Sequence, residues 1–219
     1  MRRLAAALLF AMPLAACASH REFVDPAFGA VTATHRTVAI LPVDVNIAPD
    51  GLPRNATAEH RAAIEQEEGR VLQAQLYGQL LQRSGQFSVQ FQDIAQTNAQ
   101  LDGTGRSLEE LYMRDKEEIA RLLGVDAVIT VRIYRSKPMD GVTVVGLALA
   151  NSLLFGMTGP MQNTNEVIVD MVMHDARDGD LLWTYNHKLG GGIGSTPERL
   201  ASALVTSISR RFPYRRPAS

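Results

Sequence analysis

One cysteine constrains what this chain can fold into. Cys17 follows Arg2-Arg3, an apolar run from Leu4 to Leu14 and the small pair Ala15-Ala16. The run is too short to cross a bilayer, and the order of basic start, apolar middle and small-residue end is that of a secretory signal peptide. Export permits disulfides, yet a lone cysteine makes none within the chain, so the fold must rest on packing. The 46% apolar composition supports that. Without the leader 203 residues remain, enough for one domain with a sizeable core. They carry 20 basic against 23 acidic side chains, a balance with no field to attract nucleic acid.

Past the cysteine, residues 18–36 hold no sustained hydrophobic period and read as a tether, about 25 Å across as a flexible coil. Thr37 to Val43 is a β-branched run stopped by Pro42, long enough for one buried strand. Asp44 to Asn55, with Pro49, Asp50-Gly51 and Pro53, reads as a long loop. From Thr57 to Ser84 helix formers dominate, and Leu72, Leu76 and Leu80 make an apolar face. The acidic half of that helix, Glu65 to Glu68 ahead of Gly69, has little to bury and is expected to project or kink. Gly85 is expected to close the helix. Phe87, Val89 and Phe91 then alternate with polar residues as in a half-buried strand.

Asp93 to Arg106 is polar. Ser107 to Glu110 forms a capping box for a second helix that ends at Gly124, with Asp126 expected to cap or turn the junction. Ala127 to Tyr134 is expected as a central strand. Val167–Met173 and Leu181–Tyr185 flank Asp178-Gly179 as a β-hairpin. Ser195 to Glu198 offers a capping box to a last helix carrying Leu200, Leu204 and Ile208. The expected class is α/β, with α+β as the alternative: a mixed sheet of about five strands covered by three helices, with an apolar insertion at 141–159.

Two resemblances add to this. Leu14-Ala-Ala-Cys17 resembles the lipobox of bacterial lipoproteins, which implies a diacylglycerol thioether on Cys17 and an amide-linked fatty acid after cleavage. The competing reading is an ordinary cleaved signal beside an incidental cysteine. Stable anchoring takes two chains, which this modification supplies. Ala18 stands where an aspartate would resemble an inner-membrane retention signal, so the periplasmic face of the outer membrane is the expected place. The implied organisation is a signal peptide at 1–16, a lipidated tether at 17–36, one domain at 37–213 and a basic tail at 214–219. Secondly, Val38-Ala-Ile-Leu-Pro42, Ser84-Gly-Gln-Phe-Ser-Val89 and Ala120-Arg-Leu-Leu-Gly-Val-Asp-Ala-Val-Ile129 resemble envelope lipoproteins of the TolB amino-terminal-like, CsgG-like fold. That group includes curli-secretion, polysaccharide-export and peptidoglycan-synthase accessory lipoproteins. The motifs are short and apolar, and they imply a scaffold without catalytic residues.

Nothing in the motifs supplies chemistry, and no cofactor or metal is expected. The histidines at 20, 35, 60, 174 and 187 share no ligand spacing; His174 and His187 are the best pair, brought across from each other if the hairpin forms. No G-x-S-x-G or S-x-x-K is present. The run Gly190 to Gly194 reads as a connection more readily than as an anion loop. Arg210, Arg211, Arg215 and Arg216 are candidate anion contacts, set against a plain helix-end charge effect and a solvated tail.

Gly141 to Gly159 carries no charge over nineteen residues. Its readings are a buried core segment, an exposed patch for a partner or self-association, and membrane insertion; Leu147, Leu153, Leu154 and Phe155 are the candidate contacts. The expected function is that of a lipid-anchored, non-enzymatic accessory protein that binds envelope proteins of an export or assembly system, with homo-oligomers in view. The alternative is a subunit of an oligomeric secretion channel that inserts 141–159 in the outer membrane.

Overall fold

The computed structural model describes residues 20–49, 52, 56–135, 167–189, 196–208 and 211–216. Cys17, the 141–159 stretch with Leu147, Leu153, Leu154 and Phe155, the 190–194 glycine run, Ser195 and Arg210 lie outside the described residues.

The strands are β1 (His20–Val24), β2 (Thr37–Ile40), β3 (Asp44–Ile47), β4 (Gln90–Phe91), β5 (Ala127–Arg135), β6 (Val167–Asp175) and β7 (Leu181–Leu189). They form one mixed sheet in the order β1-β7-β6-β5-β2-β4, with β3 also on β5. β2 pairs in parallel with the first part of β5, and β3 pairs in parallel with the last part. The two therefore act as one strand interrupted at Leu41-Pro42-Val43, where Pro42 has no N–H to give a ladder. β5, β6, β7 and β1 run antiparallel in turn.

Among the described residues six helices accompany the sheet: α1 (Phe28–Val31), α2 (Ala58–Leu81), α3 (Ile94–Asp102), α4 (Leu108–Met113), α5 (Lys116–Leu123) and α6 (Pro197–Ile208). On one face α2 and α6 bring Leu72, Leu76, Leu80, Leu200, Leu204 and Ile208 onto Ile129, Val131, Met171 and Tyr185. Each fully buried leucine there contributes about 1.5–3 kcal/mol. On the other face α3, α4 and α5 pack Leu101, Leu111, Ile119 and Leu123 on Ala39, Leu41 and Val128.

The α/β class and mixed sheet agree with expectation, and so do several local features. Ser107 and Glu110 form the capping box, Gly124 is left-handed at φ +67°, and the β6–β7 hairpin turns at Gly179 with φ +75°.

The element count does not agree: seven strands and six helices stand among the described residues. The segment expected as a tether is part of the fold from His20 on, because β1 pairs along β7 and Phe28 of α1 packs edge-on against Tyr214 at 5.2 Å. Every side chain of β1 is exposed, so the strand has no buried face and no period to show. β3 lies inside the expected loop, with Val45 and Ile47 buried and Asp44 and Asn46 outward. α3 occupies the polar stretch after Asp93, whose carboxylate caps it through Ala95 N–H and Gln96 N–H. The helix expected from Ser107 to Gly124 breaks at Arg114, and Asp115 caps α5 afresh.

α2 runs unbroken through Gly69 instead of kinking. Its acidic half turns inward: Glu65 accepts a hydrogen bond from Ile47 N–H at 2.9 Å, and Glu68 meets Arg135 at 3.6 Å with neither side chain exposed. The helix ends at Leu81, and Gly85 falls in a short 3₁₀ turn, Ser84–Gln86. Phe87, Val89 and Phe91 are buried as the alternation demands, but only Gln90–Phe91 are strand. At the start of α6 the Thr196 hydroxyl accepts from Arg199 N–H at 3.3 Å; the expected capping box involves Ser195, which lies outside the described residues. Residues 214–216 are docked rather than a free tail: Tyr214 is buried and Arg216 N–H donates to Gln86 O at 2.8 Å.

Candidate functional site

On this face α3 and α4 pack on the β2 side and α5 reaches β6 near the hairpin turn, which leaves the rest of β6 and β7 open beside them. Register decides what this open face shows. Asp44, Arg132, Asp170, Asn186 and Arg21 stand opposite one another in β3, β5, β6, β7 and β1. One polar row thus crosses five strands. Arg132 donates from Nε to Asp44 Oδ2 at 2.7 Å, and Asn186 donates from Nδ2 to Asp170 Oδ1. The Asp44 carboxylate raises the Arg132 pKa further. A second row, Thr130, Val172 and Thr184, lies one step along the strands.

Tyr112 of α4 walls the face on one side. The Arg132 guanidinium lies 5.6 Å from the centre of its ring, a cation–π distance. Its hydroxyl accepts from Val131 N–H at 3.1 Å and lies 2.8 Å from Pro42 O, which holds α4 on the interruption between β2 and β3. Burial raises the Tyr112 pKa well above the ordinary phenol value, so the ring is neutral. Lys116 of α5 donates to Tyr112 O and Arg114 O at 2.7 and 2.8 Å, and burial lowers its pKa. His174 is pulled down to about 4 by burial and by Lys116, and its Nδ1 is buried without a hydrogen-bond partner. Between these walls and rows runs a groove of about 510 Å³. Arg132, Asp170 and Asn186 of the polar row and Thr130 and Thr184 of the second row line it.

A second polar cluster sits at the hairpin-turn end of the sheet. His35 Nδ1 lies 2.5 Å from Tyr214 Oη, and His35 Nε2 lies 3.7 Å from Asp175 Oδ1, too far for a hydrogen bond. Asp175 accepts from Arg177 N–H at 3.0 Å and from its guanidinium at 2.8 Å, contacts that hold its carboxyl below the usual carboxylate value. Burial lowers the His35 pKa in spite of Asp175, and burial raises that of Tyr214. With 4%, 3% and 0% exposure for His35, Tyr214 and Asp175, the cluster offers no atom to a substrate. It ties the chain before β2, the hairpin and the end of the chain together. Asp126, expected to cap or turn the junction after Gly124, instead ties that junction to the start of β2, its Oδ2 accepting from Arg36 N–H and Thr37 N–H at 2.7 and 2.8 Å.

His174 and His187 do not face each other. His174 lies opposite Leu181 and His187 opposite Val169, and they point to opposite faces of the sheet. His174 lies four residues before Asp178 and His187 eight after Gly179, so a hairpin turning there cannot set them opposite each other. His187 instead faces His20 across the β1–β7 ladder, and burial lowers its pKa. Among the described residues no three His, Cys, Asp or Glu side chains converge as a metal site. Burial raises the Tyr185 pKa against the nearby Arg211 charge, and burial, with His20 and Arg211, lowers that of His187, whereas Arg215 pairs in a bridge with Phe87. The five-strand row was missed in the sequence. Arg132 in β5 and Asp170 in β6 interrupt otherwise apolar strands at outward positions, and that was its only visible signal.

No protein-family model matches this chain, and no curated protein matches it. The chain is similar to several solved structures. Lipoprotein GNA1162 from Neisseria meningitidis is 13% identical over 80% of this chain and 95% of its own, with a TM-score of 0.46. The PelC dodecamer from Paraburkholderia phytofirmans is 13% identical over 91% and 100%, at 0.44. The LpoB C-terminal domain from Salmonella enterica is 10% identical over 75% and 93%, at 0.33. Likeness at this level does not carry function from one protein to another.

Proposed function

We propose that this chain is a lipid-anchored protein on the periplasmic face of a bacterial outer membrane that binds a protein of an export or envelope-assembly system, without catalysing a reaction. The supporting observation is the open sheet face: Asp44, Arg132, Asp170, Asn186 and Arg21 lie in one row across five strands, beside a groove walled by Tyr112 and Lys116. Rigid strands place these groups at fixed spacing, and charges of alternating sign favour a partner segment of matching alternation. Cys17 supplies the anchor, and acyl chains on it would keep the groove at the membrane where such systems assemble.

The test is photo-crosslinking in intact envelopes from a crosslinker at Thr184 in the groove, compared with one at Arg83 at the far end of α2. A discrete crosslinked protein from Thr184 that Val172→Arg, opposite it in the groove, abolishes with the melting temperature unchanged is the expected result. Equal crosslinking from both sites, or none that depends on the groove, would remove this reading.

A further inference from the structure

Among the described residues, one edge of the sheet has nothing laid against it. At the far side β4 is two residues long and has the Phe87–Arg215 bridge beside it, and the outward N–H of Ile47 in β3 goes to Glu65. β1 has no such cover. Its five residues are all exposed, Phe23 and Val24 at 43% and 42%. Its two charges, Arg21 and Glu22, are of opposite sign, so they repel a further strand only in some registers.

The direction of the backbone groups narrows those registers. Asp25 N–H donates to Leu182 O at 2.9 Å, continuing the ladder in which Val24 stands opposite Trp183. Bonded and non-bonded pairs alternate in an antiparallel ladder, so Phe23 and Arg21 also bond to β7, and the N–H and C=O groups of His20, Glu22 and Val24 point outward. A second copy related by a two-fold axis must meet these groups with its own. The register with Glu22 opposite Val24 does so, and it sets Phe23 on Phe23 and Arg21 on Asp25, the last pair occurring twice. A slip of two residues one way puts Glu22 against Glu22, and a further slip puts Arg21 against Arg21. A slip the other way puts Glu22 against Pro26, which has no N–H to give.

We infer that two copies of this chain pair antiparallel through β1, with Phe23 facing Phe23 across the two-fold axis and each Arg21 facing Asp25 of the other copy. Non-bonded pairs hold their Cβ atoms about 4.5–5.5 Å apart, close enough for both an aromatic pair and an ion pair. Asp25 Oδ1 caps Ala27 N–H at 2.6 Å, and Oδ2 is the atom that meets Arg21. The axis stands perpendicular to the sheet, so both open faces lie on the same side. Arg21, the last member of the five-strand row, then joins the two rows through Asp25. A ladder of five residues is at the small end for an interface, so the pairing is transient in dilute solution. It depends neither on the anchor nor on what the groove binds.

The test traps the pair covalently. Cells making the full chain with Phe23→Cys are treated with a thiol oxidant, quenched with an alkylating reagent and run without reductant, with the wild-type chain, whose one cysteine is Cys17, as baseline. A disulfide dimer several-fold above baseline is expected, since the facing positions are within reach of a disulfide. Arg21→Asp or Asp25→Arg, each added to Phe23→Cys, should return the dimer to baseline by setting like charges opposite. Producing these two variants together, one of them epitope-tagged, should restore a tagged–untagged dimer, because each Arg then meets an Asp again. That recovery also shows that both variants fold. No dimer above baseline from Phe23→Cys, a dimer that neither charge change reduces, or no recovery in the mixture would overturn the pairing.

Discussion

Gly69 packs so closely on Val43 that a Cβ added to it would lie 2.2 Å from the Val43 carbonyl oxygen. The contact seats α2 on the interruption between β2 and β3, and it explains a glycine in the middle of a 24-residue helix. Elsewhere on a helix, alanine in place of glycine stabilises by about 1 kcal/mol. Here the backbone oxygen cannot swing away as a side chain would, so the steric cost outweighs propensity. Gly69→Ala is expected to destabilise by about 1–3 kcal/mol, read as a fall in the urea midpoint. A stabilised variant would show that α2 is not seated on Val43.

Acid sensitivity follows from the buried histidines. Burial and Lys116 bring His174 to about 4, and burial lowers His35 and His187 as well. Unfolded imidazoles take up protons near pH 6.5, so below that value the unfolded chain binds more protons than the folded one. Stability is therefore full above pH 6.5 and falls as pH drops toward about 4. Between pH 7 and pH 5, His174 is expected to account for on the order of 1–2 kcal/mol of that loss, after allowance for its partial exposure. Urea titrations should show a smaller loss in His174→Gln, and an unchanged loss would clear His174 of the role.

Tyr214 is the partner of His35 Nδ1. Tyr214→Phe keeps the ring against Phe28 but leaves a buried nitrogen unsatisfied, at a cost of about 1–3 kcal/mol. In a domain of this size that lowers Tm by about 2–4 °C per kcal/mol. Truncation after Pro213 also removes the docked backbone of Arg215 and Arg216, and it should cost more than the point change. Equal melting for the truncated and complete proteins would make 214–219 the free tail that its arginines suggest.

The start of the fold can be located by paired truncations. A chain starting at Arg36 loses β1 and Phe28, leaving the β7 edge unpaired and Tyr214 without its edge-on ring. It is expected to melt lower than a chain starting at Ala18 and to associate through the bare edge, as uncovered edge strands do. Equal melting and equal sedimentation of the two would return residues 18–36 to the status of a tether.

Local signals determined a good share of this protein. Ser107 with Glu110, Gly124 and Asp178-Gly179 each use chemistry confined to a few neighbouring residues, so the capping box, the left-handed helix end and the hairpin turn were legible in the chain. The leucines of α2 and α6, and the β-branched run of β5, announced which faces are buried because their period is the element's own. Tertiary structure alone decided the rest. β1 exists because β7 offers it a ladder, and with no buried face it leaves no period in the sequence. The inward turn of Glu65 and Glu68 depends on Ile47 and Arg135, which are distant in the chain. The row from Asp44 to Arg21 depends on the register of five strands, and register is a relation between segments that no one of them encodes.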